Sequence, residues 1–335
     1  MNRNRILFWT CILVGMICIL SSLYLQNLYI LRVAVFAVIA AMLAVSVNLL
    51  VGYTGQVSLG QAGFYGIGAY TVGLLTTQWH WSFWLALLAA FILTSLTGLI
   101  LGLPTTQLKG HFLGIATLGF GIIVNVIFNN WTSLTGGPNG IRGIAPPELF
   151  GISLQYENYF LGFSLFCLMV VVLMVHLVVN SAIGRAWKCI RHDEISAQVS
   201  GINVYGYKLM AFSLSGGIAG IAGGLYAGFM TFISPETFDL NQSITIITTA
   251  ILGGPGTLFG PLVGAGVLTV LSESLRALNE LRLIIYGAIL VTVIVFLPEG
   301  IYPFISKKLR KRGIASQLKL KDRRRELDEQ DFSQS

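Results

Sequence analysis

SAIGRAWKCIRHDEISAQVSGINVYGYK, residues Ser181 to Lys208, is the longest polar stretch set inside an otherwise apolar sequence. Asn158 to Gly184 contains no Asp, Glu, Lys or Arg, and neither does Leu209 to Pro235. Between those runs lie Arg185, Lys188, Arg191, Asp193, Glu194 and Lys208. Glu194, Ala197 and Gly201 recur at spacings of three and four, which places them on one face of a short helix. A carboxylate, a methyl and a glycine on one face leave room for another protein's backbone. A solvated loop between two membrane helices would also carry mixed charge. The helical pattern inside this loop favours a docking element instead.

The rest of the chain sets the context. Of its 335 residues, 55% are hydrophobic and only 10% charged, against about 25% charged residues in soluble domains. This is the composition of an all-α polytopic membrane protein. Spans of roughly 20 residues predict about ten transmembrane helices, or eight plus re-entrant segments, in one domain over residues 1–306. Residues 307–335 form a cytoplasmic tail, basic from Lys307 to Arg325 and acidic towards Asp331. The net charge of +7 comes from segments expected on the cytoplasmic side, where Lys and Arg accumulate. The tail is placed against anionic lipid head groups. Without interleaved aromatics it is not read as a nucleic-acid arm. Cys11, Cys18, Cys167 and Cys189 form no C-x-x-C pair and predict no disulfide framework or metal site.

In chain order, Arg3 and Arg5 precede an uncharged run, Ile6 to Leu31, read as an uncleaved first span with a cytoplasmic N-terminus. A second span starts at Arg32 and reaches about Val51. Gly52 to Gly73, GYTGQVSLGQAGFYGIGAYTVG, holds seven glycines. They allow either close helix packing or a helix break at membrane depth. In the second case Gln56, Ser58 and Gln61 line a polar path, with Thr117 and Asn125 of the span His111 to Phe128 as further candidates. An Asn in such a helix also serves as an interhelical hydrogen bond. Ser82 to Leu103 is a span ended by Pro104. Thr135 to Ile144, TGGPNGIRGI, marks turns on the outer side, and Tyr159 to Asn180 returns the chain to the cytoplasm. Leu209 to Phe232 carries Gly216, Gly217, Gly220, Gly223 and Gly224, a small-residue face. Ser243 to Leu252 is short for a span. It and Leu262 to Leu275 flank Gly253 to Pro261, which suggests a discontinuous helix. Leu283 to Leu297 is the last span.

Several of these segments carry a resemblance. Asp193 to Ile202, DEISAQVSGI, resembles the coupling loop of bacterial ABC importer permeases, with Ser196 where that pattern often has Ala. Gly184-Arg185, Gly201-Ile202-Asn203-Val204, the Gly52 to Phe64 segment, Thr135 to Ile144 and Ile233-Ser234-Pro235-Glu236-Thr237-Phe238 are similar to LivM-type permeases of branched-chain amino-acid importers. The resemblance covers about residues 35–300. It implies an inner-membrane permease for leucine, isoleucine and valine, with both termini cytoplasmic. ATPase-coupling roles fall on Glu194, Ala197 and Gly201, with Arg191 and Asp193 beside them. The implied partners are a LivH-type sister permease, two ABC ATPase subunits that bind the ATP, and a periplasmic amino-acid-binding protein. Permeases for urea or short-chain amides share a similar pattern.

The chemistry present agrees with an outside energy source. The sequence has no phosphate-cradling G-x-x-x-x-G-K-[ST] loop and no G-x-S-x-G or H-E-x-x-H constellation. The chain itself is therefore read as neither an ATPase nor an enzyme, with no cofactor of its own. An ion-coupled carrier needs an ionisable group deep in a span. Glu273, beside Arg276 near a helix end, is the residue that would have to fill that role.

Overall fold

The computed structural model describes residues 27–106, 108, 110–149, 152–154, 156–275, 287, 291 and 300–304. Most of the expected first span, nearly all of Leu283 to Leu297, residues 305–335, Lys109 and Arg276 lie outside them. Ten α-helices of six residues or more are described: α1 Leu28–Asn48, α2 Gln61–Thr77, α3 Phe83–Thr105, α4 His111–Asn130 and α5 Glu157–Asn180. They continue with α6 Ala182–His192, α7 Glu194–Val199, α8 Val204–Met230, α9 Leu240–Gly253 and α10 Gly260–Ser274. Among the described residues, five helical stretches are long and apolar enough to cross a membrane: Leu28–Thr54, Phe83–Thr105, His111–Asn130, Glu157–Asn180 and Val204–Met230. The protein is an all-α, multi-span membrane bundle.

Helix α8 is the axis of the fold and packs against α1, α2 and α3. Lipid is as apolar as leucine, so helices in a membrane associate through close packing and hydrogen bonds rather than water exclusion. The small-residue face expected on α8 provides that packing. Gly68 of α2 lies against the backbone of Gly220, and Gly223 against Tyr65 and Ala69. On the other side Gly216 and Gly220 lie against Thr94 of α3. A Cβ on Gly68 would stand 2.7 Å from the Gly220 carbonyl carbon, a separation that no relaxed contact reaches. Helices α3, α4 and α5 instead expose apolar side chains such as Leu88, Ile92, Leu96, Ile115, Ile123 and Leu177.

The two ends of the bundle differ. At one end Trp79, Trp81, Trp84, Trp131, Tyr156 and Tyr159 are exposed, the aromatic belt of a membrane–water interface. There β1 (Ile141–Arg142) pairs antiparallel with a strand at Phe232–Ile233, so the Thr135 to Ile144 turns and the Ile233 to Phe238 segment form one unit. At the other end lie α6, α7 and the α9–α10 turn. Helix α3 runs one residue past Pro104, ending at Thr105 rather than before the proline. Helix α8 begins at Val204, five residues before the expected start, because Asn203 caps it through Gly206 N–H at 3.0 Å.

Candidate functional site

The polar loop folds as two capped helices. Ser181 accepts from Ile183 N–H at 3.1 Å and starts α6. Asp193 accepts from Ser196 N–H at 2.5 Å and starts α7. Helix α6 buries Ala186, Trp187 and Ile190 while Arg185, Lys188 and His192 face out. Trp187 Nε1–H donates to the Tyr207 carbonyl at 2.8 Å, fixing α6 to the first turn of α8.

The face expected to carry Glu194, Ala197 and Gly201 is only partly open, with Gly201 exposed and Ala197 closed off. Ala197 is buried with Ile190 and Val204. Glu194 Oε1 lies 2.6 Å from Nζ of Lys208, whose side chain is 3% exposed. Gly201 lies beyond the helix, at φ +78°. Its N–H donates to Gln198 O (2.9 Å) and Ile202 N–H donates to Ala197 O (3.0 Å), the paired bonds of a left-handed helix stop. Counting by threes and fours placed Gly201 on the helix because spacing alone does not show where a helix ends. The outward face of α7 is instead Ile195 and Val199, 65% and 85% exposed and one turn apart. The i, i+4 spacing of these two apolar residues inside a polar loop was the signal available in the sequence.

Arg191 points the other way. Its guanidinium Nη1 donates to the carbonyl of Gly52 and lies against Gly256 of the α9–α10 turn. Gly52 belongs to a π-helical turn, Leu49–Thr54, that ends α1. Such turns concentrate at functional positions.

Beyond that turn the chain re-enters the bundle. Residues 55–60 run inwards to α2, whose Gln61 donates through Nε2 to Ser215 Oγ at 2.9 Å. Ser215 lies eleven residues into α8, about 16 Å along it. Non-helical backbone at that depth is tolerated when protein groups satisfy it. Here Leu59 N–H donates to Thr117 Oγ1 (2.9 Å) and Ala62 N–H to Ser243 Oγ (3.0 Å). The five candidate path residues thus fall into two groups. Gln61, Thr117 and Asn125 are bonded within the chain, Asn125 Nδ2 donating to Pro235 O at 2.8 Å. Gln56 Nε2 and Ser58 Oγ are buried without a hydrogen-bond partner among the described residues.

Comparison with known proteins agrees with this architecture. Residues 29–294 match the family described as branched-chain amino acid transport system, permease component. The chain belongs to this family. It is 34% identical over 307 residues to the high-affinity branched-chain amino acid transport system permease protein LivM of Escherichia coli (strain K12), covering 84% of this chain and 72% of that protein. It is 34% identical over 301 residues to the Salmonella typhimurium LivM protein, covering 83% and 71%. The autoinducer 2 import system permease protein LsrC of Salmonella typhi is 28% identical over 291 residues, 83% of this chain and 80% of that one. The region matched by the family starts at the second residue of α1 and extends past the end of α10, to residue 294. The chain is a transporter permease component.

Proposed function

We propose that this permease forms the translocation path for leucine, isoleucine and valine in an ATP-driven importer of the inner membrane. The observation that carries the reading is the capped α6–α7 pair, which holds Ile195 and Val199 out from the bundle on a basic surface. An ATPase subunit with an apolar groove and an acidic rim is the fitting partner. Asp193, Glu194, Ala197 and Gly201 shape and hold α7, and Ile195 and Val199 make the contact. A LivH-type sister permease, two ATPase subunits that bind ATP, and a periplasmic amino-acid-binding protein complete the complex. The α6–α7 end then faces the cytoplasm, with about ten spans in residues 1–306, both termini cytoplasmic and the 307–335 tail at the lipid surface.

The aliphatic substrate suits spans with few fixed charges, and the Escherichia coli and Salmonella typhimurium relatives named for branched-chain amino acids share more identity than the autoinducer 2 permease of Salmonella typhi. The test is reconstitution of the complex in proteoliposomes with its binding protein. Leucine uptake that requires ATP and exceeds uptake of urea and autoinducer 2 is the expected result. Uptake of urea alone would reassign the substrate. Uptake that persists without ATPase subunits would overturn the coupling.

A further inference from the structure

Three separate segments meet where α1 ends, and the side chains of Asn48 and Arg191 join them. Asn48 donates through Nδ2 to the Thr257 carbonyl (2.9 Å) and accepts from Gly256 N–H (2.8 Å). Both amide functions of this buried side chain are therefore spent on the α9–α10 turn. Gly52 packs on Asn48 and on the Gly256 amide, while Gly55 lies 3.3 Å (measured from a Cβ built on it) from Arg191 Cγ. Gly300 closes the other side of the turn against Gly254. Arg191 enters from α6 and reaches the Gly52 carbonyl. That carbonyl is among the last four of the helix, which have no later turn to accept from. A guanidinium at this position also faces the negative end of the helix dipole.

Four residues after Gly52 the chain reaches Gln56 and then Ser58, two side chains with buried, unpartnered polar atoms. Leaving such atoms unpaired is unfavourable, so Gln56 Nε2 and Ser58 Oγ gain hydrogen bonds in an arrangement that exposes them to water. We infer that Arg191 is a positioning residue that latches the re-entrant segment 49–60 and the α9–α10 turn to the coupling helices, so that displacement of α6 releases both together and uncovers Gln56 and Ser58. The inference rests on the importer reading above and adds the path by which motion of α6 enters the bundle.

The experiment uses the complete complex in proteoliposomes, with leucine uptake and ATP hydrolysis measured in parallel. Arg191→Gln is expected to retain both ATPase subunits on purification and to lower leucine imported per ATP by about tenfold, the scale of losing a charge-assisted hydrogen bond. Arg191→Lys, which keeps a cation within reach of the carbonyl, is expected to restore most of that ratio. An unchanged ratio in Arg191→Gln would overturn the inference. So would loss of the ATPase subunits, which would make Arg191 a docking residue. Should Arg191→Gln fail to fold, Ser58→Cys in a chain with its four native cysteines replaced gives an independent reading. Labelling of the introduced thiol by a soluble maleimide only during ATP turnover supports the latch, and no labelling in any condition overturns it. If the unaltered complex shows no ATP-dependent uptake, the importer reading itself fails and the latch falls with it.

Discussion

Two polar regions interrupt this apolar chain, and they place their polar groups in opposite ways. In α6–α7 the charges face outward and the telling residues are the two apolar side chains left in solvent, Ile195 and Val199. In the interior, Ser46, Gln61 and Ser215 are each 0% exposed and bond one another: Gln61 Nε2 donates to Ser215 Oγ and Ser215 Oγ–H donates to Ser46 O at 2.8 Å. A polar group surrounded by water gains little from a protein partner, whereas one in the bundle must have a partner or lose its hydration for nothing. The exposed region therefore tolerates change in its solvated charges, such as Arg185 and Lys188, and depends on its apolar residues. The interior region does the reverse.

The sharpest break of that contrast comes from volume. Gly220→Leu is expected to destabilise the bundle by about 3 kcal/mol, at the upper end of overpacking costs. Its Cβ would lie 2.7 Å from Thr94 Cγ2 on one side while Gly68 presses from the other. Loss of the monodisperse peak after detergent extraction and a lower unfolding temperature would register it, and a wild-type profile would refute the close α2–α8–α3 packing. Glu194→Ala tests where the two regions overlap, since Glu194 is partly exposed but its partner Lys208 is buried. Leaving that ammonium unpaired is expected to cost about 2 kcal/mol, discounted for the exposed carboxylate. Replacing Lys208 by Met in the same chain should recover most of it, as a double-mutant thermal series would show. A deficit that Lys208→Met leaves in place would assign Glu194 to partner contact instead.

Ser215→Ala removes one acceptor and one donor from the interior network and is expected to cost about 1 to 2 kcal/mol, readable in the same unfolding assay. Smallest for the fold is Val199→Asp, within about 0.5 kcal/mol of wild type because the side chain touches little of its own chain. Its effect belongs to assembly, where recovery of ATPase subunits in a pull-down is expected to fall about tenfold. Full recovery would move the docking surface away from α7. Gly201→Asn separates backbone from bulk at the helix stop. Asn tolerates a left-handed conformation, so this variant should transport normally while Gly201→Trp, strained at φ +78° and bulky, should not.

What the linear sequence determined is considerable. Hydropathy located the five candidate spans among the described residues, since a backbone in lipid must form helices over about twenty apolar residues. The glycines of α8 announced a packed face, and the polar loop announced its own helical core. The glycine-rich Gly52 to Gly73 stretch pointed to a break, but left open whether packing or a path explained it.

Tertiary structure decided that close packing and a helix break both occur, in different halves. Gly63, Gly66 and Gly68 serve packing, while Gly52 to Gly60 is the re-entrant break. It also decided which way each loop residue faces. Ala197 turns inward, Gly201 ends the helix, and Arg191, though exposed, carries its guanidinium to the carbonyl of Gly52, 139 residues away in sequence. Periodicity reports which residues share a face, because helix geometry is local. It does not report what that face meets, because a carbonyl at the end of α1 and the guanidinium that caps it come together only when the bundle closes.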